Sequence, residues 1–162
     1  DFGARQSKGD ILYFVHADTL PPPTFADDIS AAVAEGWRMG NFQYTFDSSR
    51  PLLRINAFFT RFRWFFTQGG DRTFFILRET YFALGGYDPS YVVMEEYDFL
   101  RRARKAGYDF IMLPGRCVVS ARKYERNSWL RVQIANLIAY NLWARTGMEP
   151  EKLRAVYYRI LR

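Results

Sequence analysis

The chain has 162 residues, of which 49% are apolar and 19% aromatic, with a net charge of +6. A chain of this length buries enough surface to form one independent core. Its single cysteine, Cys117, excludes an internal disulfide and any metal site built from several cysteines. No run reaches the ~18 apolar residues that a membrane-spanning helix needs.

The first half of the sequence alternates between strand and helix patterns. Ile11–Val15 is a continuous apolar run between turn residues, which is typical of a strand covered on both faces. The elements predicted after it are a helix from Pro23 or Thr24 to Glu35, a strand over 40–46, a helix from Leu52 to Phe66 and a strand from Thr73 to Leu77.

The second half continues this alternation and ends in helices. The predicted elements are a short helix over Glu79–Leu84, a helix over Glu95–Ala106, strands over Asp109–Leu113 and Cys117–Ala121, a long aromatic-rich helix to about Thr146 and a last basic helix. Such alternation predicts an α/β fold with a mixed, mostly parallel sheet flanked by helices. The pattern of Ile11–Val15 is typical of a central strand, which needs a neighbouring strand on each side. We therefore expect the sheet to be incomplete on its N-terminal side.

The charge is concentrated in the C-terminal part of the chain. Residues 116–162 contain ten Lys or Arg against three Glu, whereas residues 1–115 contain thirteen against fourteen Asp or Glu. This asymmetry predicts that the C-terminal part binds an anionic partner, such as phosphates, nucleic acid or a lipid surface.

The first candidate site follows the Ile11–Val15 strand. Ligands collect at the carboxyl ends of strands in open α/β sheets, and His16 and Asp18 lie directly past this end. The carboxylate of Asp18 is a ligand that Mg²⁺ or Mn²⁺ prefers in phosphate-transfer sites. The alternative is that Asp18 caps the turn and His16 packs in the core.

The second candidate is the acidic cluster Glu95, Glu96 and Asp98 at the start of a helix. Carboxylates in a first helical turn also interact with the helix dipole, so a structural interpretation stays open. Helical spacing places Glu96 on the face that carries Phe99 and Leu100. A carboxylate aimed at an apolar-edged cleft is suited to act as a general base.

The third candidate is the segment Gly69-Gly70-Asp71 before a strand. Two glycines permit close approach of the backbone to a ligand, and Asp71 can accept a hydrogen bond from a hydroxyl group. A plain turn fits this segment equally well.

In their order and spacing, these segments resemble the family 2 glycosyltransferases of the GT-A fold, in particular the small bacterial branch described as radical-SAM/selenodomain-associated glycosyltransferases. The resemblance spans almost the whole chain. The segments that carry it are Gly9–Thr19, Gly70-Asp71 before Phe74–Glu79, Phe82–Tyr87, Met94–Phe99 and Ser120–Arg126.

The resemblance implies a role for each candidate residue. Asp18 corresponds to the metal-binding last acid of the family's aspartate-x-aspartate element, with Mn²⁺ or Mg²⁺ as the cation, and His16 replaces the first acid. Glu96, after Glu95, stands where the family has the base that deprotonates the acceptor hydroxyl. Asp71 corresponds to a position near the acceptor.

The implied enzyme transfers a hexosyl or related group with inversion, from a UDP- or GDP-sugar to an acceptor that the sequence does not specify; a lipid-linked acceptor is one option. Arg122 either contacts a donor phosphate or belongs to a solvated basic edge. Residues 1–125 correspond to the back part of a GT-A catalytic domain whose front part is missing. Residues 126–162 are basic, aromatic-rich helices that pack on it.

Two other functions stay open on the sequence: a catalytically inactive nucleotide-sugar binder, and a basic nucleic-acid-binding module. No RNA- or DNA-binding signature is found, so we expect no nucleic-acid partner. The long helix from Ser128 to Trp143 is a core element, a homodimer face or a membrane-surface contact. We expect a cytoplasmic protein, with attachment to the inner face of the membrane as an option.

Overall fold

The computed structural model describes residues 1–62 and 72–161. The strands in these residues are β1 Ile11–Phe14, β2 Thr19–Leu20, β3 Met39–Phe46, β4 Phe74–Leu77 and β5 Ile111–Val119. The helices are α1 Phe2–Gln6, α2 Phe25–Ala34, α3 Pro51–Phe59, α4 Arg78–Ala83, α5 Glu95–Lys105, α6 Lys123–Arg126, α7 Trp129–Asn141 and α8 Pro150–Ile160. A π-helical turn, Leu142–Thr146, follows α7.

The strands form one mixed sheet in the order β1-β4-β3-β5-β2. The prediction of an α/β fold with a mixed sheet is therefore confirmed, and the strands expected near residues 11–15, 73–77 and 109–113 all belong to this sheet. The expectation of mostly parallel pairing is wrong. Only β3 and β5 pair in parallel, whereas β1 with β4, β3 with β4 and β2 with β5 are antiparallel.

The error has a physical cause. β1, β3 and β5 run in the same direction, but β4 lies between β1 and β3 and runs in the opposite one. An apolar run shows that both faces of a strand are covered, and says nothing about the direction of the neighbouring strand. For the same reason β1, predicted as a central strand, lies at one edge of the sheet formed by the described residues.

Each face of the sheet is covered by helices. On one face, strand residues pack against α4 and α5, in a buried cluster that includes Leu12, Met39, Ile76, Tyr81, Phe99 and Leu100. On the other face, strand residues pack against α2, in a cluster that includes Ile29, Ala32, Phe42, Phe75, Leu113 and Cys117. β3 packs closely against its neighbours at Gly40, where an added Cβ atom would lie 2.5 Å from the carbonyl oxygen of Ile111.

β5 is one strand where the sequence predicted two. Its pairing with β3 passes from Phe42 opposite Leu113 to Gln43 opposite Arg116, so two residues of β5 are accommodated in a bulge. These residues are Pro114 and Gly115, and a bulge is where a strand tolerates proline, which lacks the N–H for the ladder. The Pro-Gly pair therefore bends the strand without ending it.

The C-terminal helices pack on the sheet domain through two apolar clusters. Val132 of α7 is buried with Phe46 and Leu53, and Trp143 of the π-helical turn is buried with Tyr97 of α5. α7 and α8 are joined by a hydrogen bond from the Tyr157 hydroxyl to Asn136 Oδ1, at 3.2 Å. Among the helices of the described residues, none combines the length and apolarity needed to cross a membrane.

Candidate functional site

Three polar segments gather at one end of the sheet. Because β1, β3 and β5 run in the same direction, their carboxyl ends point the same way. The segments that follow these ends are His16 to Asp18, Asp47, and Ser120 to Arg122. The candidate ligands after β1 therefore lie at the same end of the sheet as the residues that follow β3 and β5.

Asp18 forms an exposed ion pair with Arg122. The turn that carries Asp18 is closed by the backbone N–H of Thr19, which donates to the carbonyl of His16 at 3.1 Å. The backbone N–H of Ser120 donates to the carbonyl of Asp18, also at 3.1 Å, and Arg122 Nη2 lies 3.3 Å from Asp18 Oδ2. The side chains are 44% and 66% exposed, so the pair is weak and open to exchange with other ions.

Asp47 positions the Arg122 segment and was not singled out from the sequence. Its carboxylate accepts a hydrogen bond from the backbone N–H of Ala121 at 2.6 Å, and its own N–H donates to the carbonyl of Val119 at 3.1 Å. These bonds hold the chain beyond β5 beside the chain beyond β3. An acid directly after a predicted strand was the signal that could have identified it.

The acidic pair begins α5 after a strained residue. Met94, which precedes Glu95, has a φ of 69°, in the left-handed region that side chains other than glycine rarely adopt. Such strain persists only where the surrounding structure holds it, and it is concentrated at functional sites. Met94 leads directly into the first turn of α5, which carries Glu95 and Glu96.

Glu95 is desolvated at one carboxylate oxygen. Its Oε2 atom is buried and has no hydrogen-bond partner among the described residues. Burial raises the pKa of Glu95 above the ordinary value of 4.5, while its own backbone N–H and the nearby His16 lower it in part. The structure therefore brings His16 and Glu95, two predicted site residues, into one electrostatic neighbourhood.

Glu96 lines a small cavity between α5 and the sheet. The predicted helical face is confirmed, because Glu96, Phe99 and Leu100 all line this cavity. Other residues at its wall, which sequence reasoning missed, are Asn41, Arg72, Thr73 and Tyr87. Burial raises the pKa of Tyr87 far above its ordinary value, and the negative charges of Glu96 and Glu95 add to this effect.

Arg72 brings a buried positive charge to the same cavity. It is only 5% exposed, and its Nη2 donates to the carbonyl of Thr60 at 2.7 Å. Its Nη1 lies 3.2 Å from the sulfur of Met112. Burial lowers the pKa of Arg72 to about 10. The sequence did not predict this burial, because an arginine directly before an apolar strand is compatible with an exposed side chain as well.

Asp98 has a structural environment. It is buried, and its two carboxylate oxygens accept from Arg101 at 2.8 Å and from Arg102 at 2.9 Å. Arg102 also donates to the carbonyls of Leu84 and Gly86. Asp98 thus ties α5 to the turn after α4, where Gly86 adopts a φ of +69°.

The remaining predicted residue, Asp71, lies outside the described residues. Within residues 1–62 and 72–161, no three or more His, Cys, Asp or Glu side chains are grouped to hold a metal ion. Asp18 alone nonetheless fits a site of the Mg²⁺ type, in which one or two carboxylates act together with water and substrate phosphates. Its exposed carboxylate is accessible to such a cation.

In comparisons with known proteins, no protein-family model matches this sequence. No curated protein matches it closely enough to count as a relative. What the chain does is therefore inferred from its own residues and their geometry.

Proposed function

We propose that the chain belongs to an inverting glycosyltransferase that moves a sugar from a nucleotide-sugar donor to a hydroxyl acceptor. One observation carries this proposal: adjacent half-buried carboxylates begin α5, where Glu95 has a raised pKa beside His16 and Glu96 lines a cavity. A carboxylate beside a cavity can take the proton of a hydroxyl group, and neighbouring acids in different environments are a common way to divide such proton-transfer roles.

The proposed reaction is a single displacement. The acceptor oxygen forms a bond to the anomeric carbon while the bond from that carbon to the donor diphosphate breaks. The acceptor proton passes to the carboxylate, which we assign to Glu96, and the negative charge leaves with the diphosphate. The anomeric carbon passes through an oxocarbenium-like state, which nearby carboxylates stabilise.

Within the acidic pair, the two glutamates have different roles in this proposal. Glu96 is assigned as the base because it occupies the position of the resembling motif's base and lines the cavity. Glu95, which has one desolvated oxygen and is acted on by the charge of His16, is assigned to set the local charge and to position the reactants. Because its pKa is raised, Glu95 can stay protonated while Glu96 is ionised.

The donor's diphosphate is assigned to the exposed end of the site. Arg122 and Asp18 are paired weakly in the free protein, so a diphosphate can take over Arg122 while Asp18 holds the cation. Mn²⁺ or Mg²⁺ bound there would neutralise the charge of the leaving diphosphate. His16 precedes Asp18 in the same turn and its charge acts on Glu95, so we assign it to donor binding.

The GT-A assignment of residues 1–125 rests on the order of these motifs along an α/β sheet. We take residues 126–161 to be helices that support this domain, since they pack on it through Val132 and Trp143. The acceptor site includes Asp71 in this proposal.

The experiment is a screen of UDP- and GDP-sugars by thermal shift, with and without Mn²⁺, followed by measurement of donor turnover. We expect at least one donor to raise the melting temperature more strongly with Mn²⁺ and to be hydrolysed slowly when water replaces the acceptor. Binding without turnover would favour an inactive nucleotide-sugar binder. If no donor binds the folded full-length protein, the proposal is wrong.

A further inference from the structure

Helix α7 presents apolar side chains to the outside as well as to the core. Its inward side is buried through Val132, Ala135 and Ala139. Its outward side carries a set that we call the apolar stripe: Leu130 (61% exposed), Ile134 (42%), Leu137 (63%) and Ile138 (37%). Spacings of three and four residues place these side chains on one helical face.

Such a helix is unusual for a surface in contact with water. A surface helix of a globular protein normally turns polar side chains outward, and a helix that is apolar all round is buried by something. Contiguous exposed apolar side chains rimmed by polar ones mark interaction sites. The apolar stripe is therefore a candidate docking surface.

Exposed arginines accompany the apolar stripe. Arg131 is exposed on α7 beside Ile134 and Ile138, and Arg145 is exposed about two turns beyond Ile138. Residues 116–162, the part of the chain that includes α7, contain ten Lys or Arg against three Glu, while the rest of the chain is close to neutral. A partner that covers the stripe therefore also meets a basic rim.

We propose that the apolar stripe docks on the surface of an anionic lipid bilayer. Leu130 and Leu137 would enter the interface between headgroups and acyl chains, while Arg131 and Arg145 pair with anionic headgroups. This is the arrangement of helices that lie in a membrane surface without crossing it. A symmetric dimer through the same face is disfavoured, because it would bring two basic regions against each other.

The test measures cosedimentation of the purified protein with lipid vesicles. One set contains phosphatidylcholine alone, and in the other part of it is replaced by phosphatidylglycerol. We expect binding to the anionic vesicles, weakened by added salt because the headgroup attraction is screened. Leu130→Gln combined with Leu137→Gln should lower the affinity about tenfold or more. Arg131→Gln combined with Arg145→Gln should remove the preference for anionic vesicles.

The control is Phe2→Gln, which changes a side chain of α1 that is 79% exposed. It should leave vesicle binding unchanged, and circular dichroism should show that all variants are folded. The proposal is overturned if the folded wild type binds no anionic vesicles, or if Phe2→Gln weakens binding as much as the stripe variants. It is also overturned if the stripe variants only convert a dimer into monomers, which would identify a second copy as the occupant.

Discussion

Two acidic regions of the molecule, the start of α5 and the turn that carries Asp18, differ in their contact with water. Glu95 has a buried oxygen without a hydrogen-bond partner among the described residues and a raised pKa. Asp18 is 44% exposed and forms a loose pair with Arg122. A desolvated carboxyl group is suited to exchange protons, whereas a solvated one is suited to exchange ions.

This difference assigns separate tasks to the two regions. The acidic pair of α5 is fixed by buried contacts, since Asp98 on the next turn binds Arg102, which binds the turn at Gly86. The turn that carries Asp18 is held by backbone hydrogen bonds, and the Asp18 carboxylate stays 44% exposed. Changes at Asp18 should therefore affect binding, and changes in the first turn of α5 should affect chemistry or stability.

The largest effect that separates the two regions is expected on metal-dependent binding. Asp18→Ala should lower the affinity for a nucleotide sugar in Mn²⁺ at least tenfold, about 1.4 kcal/mol or more, with the fold intact. Isothermal titration with and without Mn²⁺ measures this. Asp27→Ala, which removes an exposed acid of α2, is the matched control. Unchanged Mn²⁺-dependent affinity in folded Asp18→Ala would remove the metal role.

The next effect concerns stability and compares a buried with an exposed ion pair. Asp98→Asn should lower the free energy of unfolding by roughly 2–3 kcal/mol, because it breaks a buried pair and leaves Arg102 without its carboxylate. Asp18→Asn, which breaks the exposed pair, should change it by less than ~1 kcal/mol. Urea unfolding of both variants measures the difference, and equal losses would contradict the contrast between the two regions.

The smallest effect is a pH dependence that comes from Glu95. A carboxyl group whose pKa is raised by folding stabilises the folded state fully below its ordinary value of 4.5. That contribution is lost as the pH rises through the raised pKa. The side chain introduced by Glu95→Gln does not ionise, so this variant keeps that contribution at high pH. The free energy of unfolding of Glu95→Gln relative to the wild type should therefore be higher at about pH 7.5 than at about pH 4, by up to ~1 kcal/mol.

Thermal or urea unfolding of Glu95→Gln and the wild type at both pH values checks this sign. Glu79→Gln provides a control, because Glu79 forms an exposed pair with Arg38. A relative stability of Glu95→Gln that falls as the pH rises would show that the Glu95 carboxylate is stabilised by folding.

Local patterns in the sequence predicted the parts of the site that depend on local geometry. The face of α5 with Glu96, Phe99 and Leu100 follows from helical spacing and needs no knowledge of the rest of the fold. The position of Asp18 after β1 follows in the same way, because turn residues end the apolar run.

The parts that failed depend on contacts between distant residues. The antiparallel insertion of β4 between β1 and β3 is a property of strand pairing, which the composition of one strand does not contain. The burial of Arg72 against Thr60 and Met112 was missed for the same reason. Likewise, the raised pKa of Glu95 depends on the burial that the complete fold imposes.

The most direct test of the proposed division is donor turnover by Glu96→Gln beside Glu95→Gln. Glu96→Gln keeps the shape of the side chain and removes the base, so it should lower turnover by ~10²–10⁴ with the donor affinity retained. Glu95→Gln should have a milder effect, through positioning. Slow hydrolysis of the donor serves as the assay while the acceptor is unidentified. If Glu96→Gln turns over like the wild type, Glu96 is not the base; if neither variant is impaired, the acidic pair is structural.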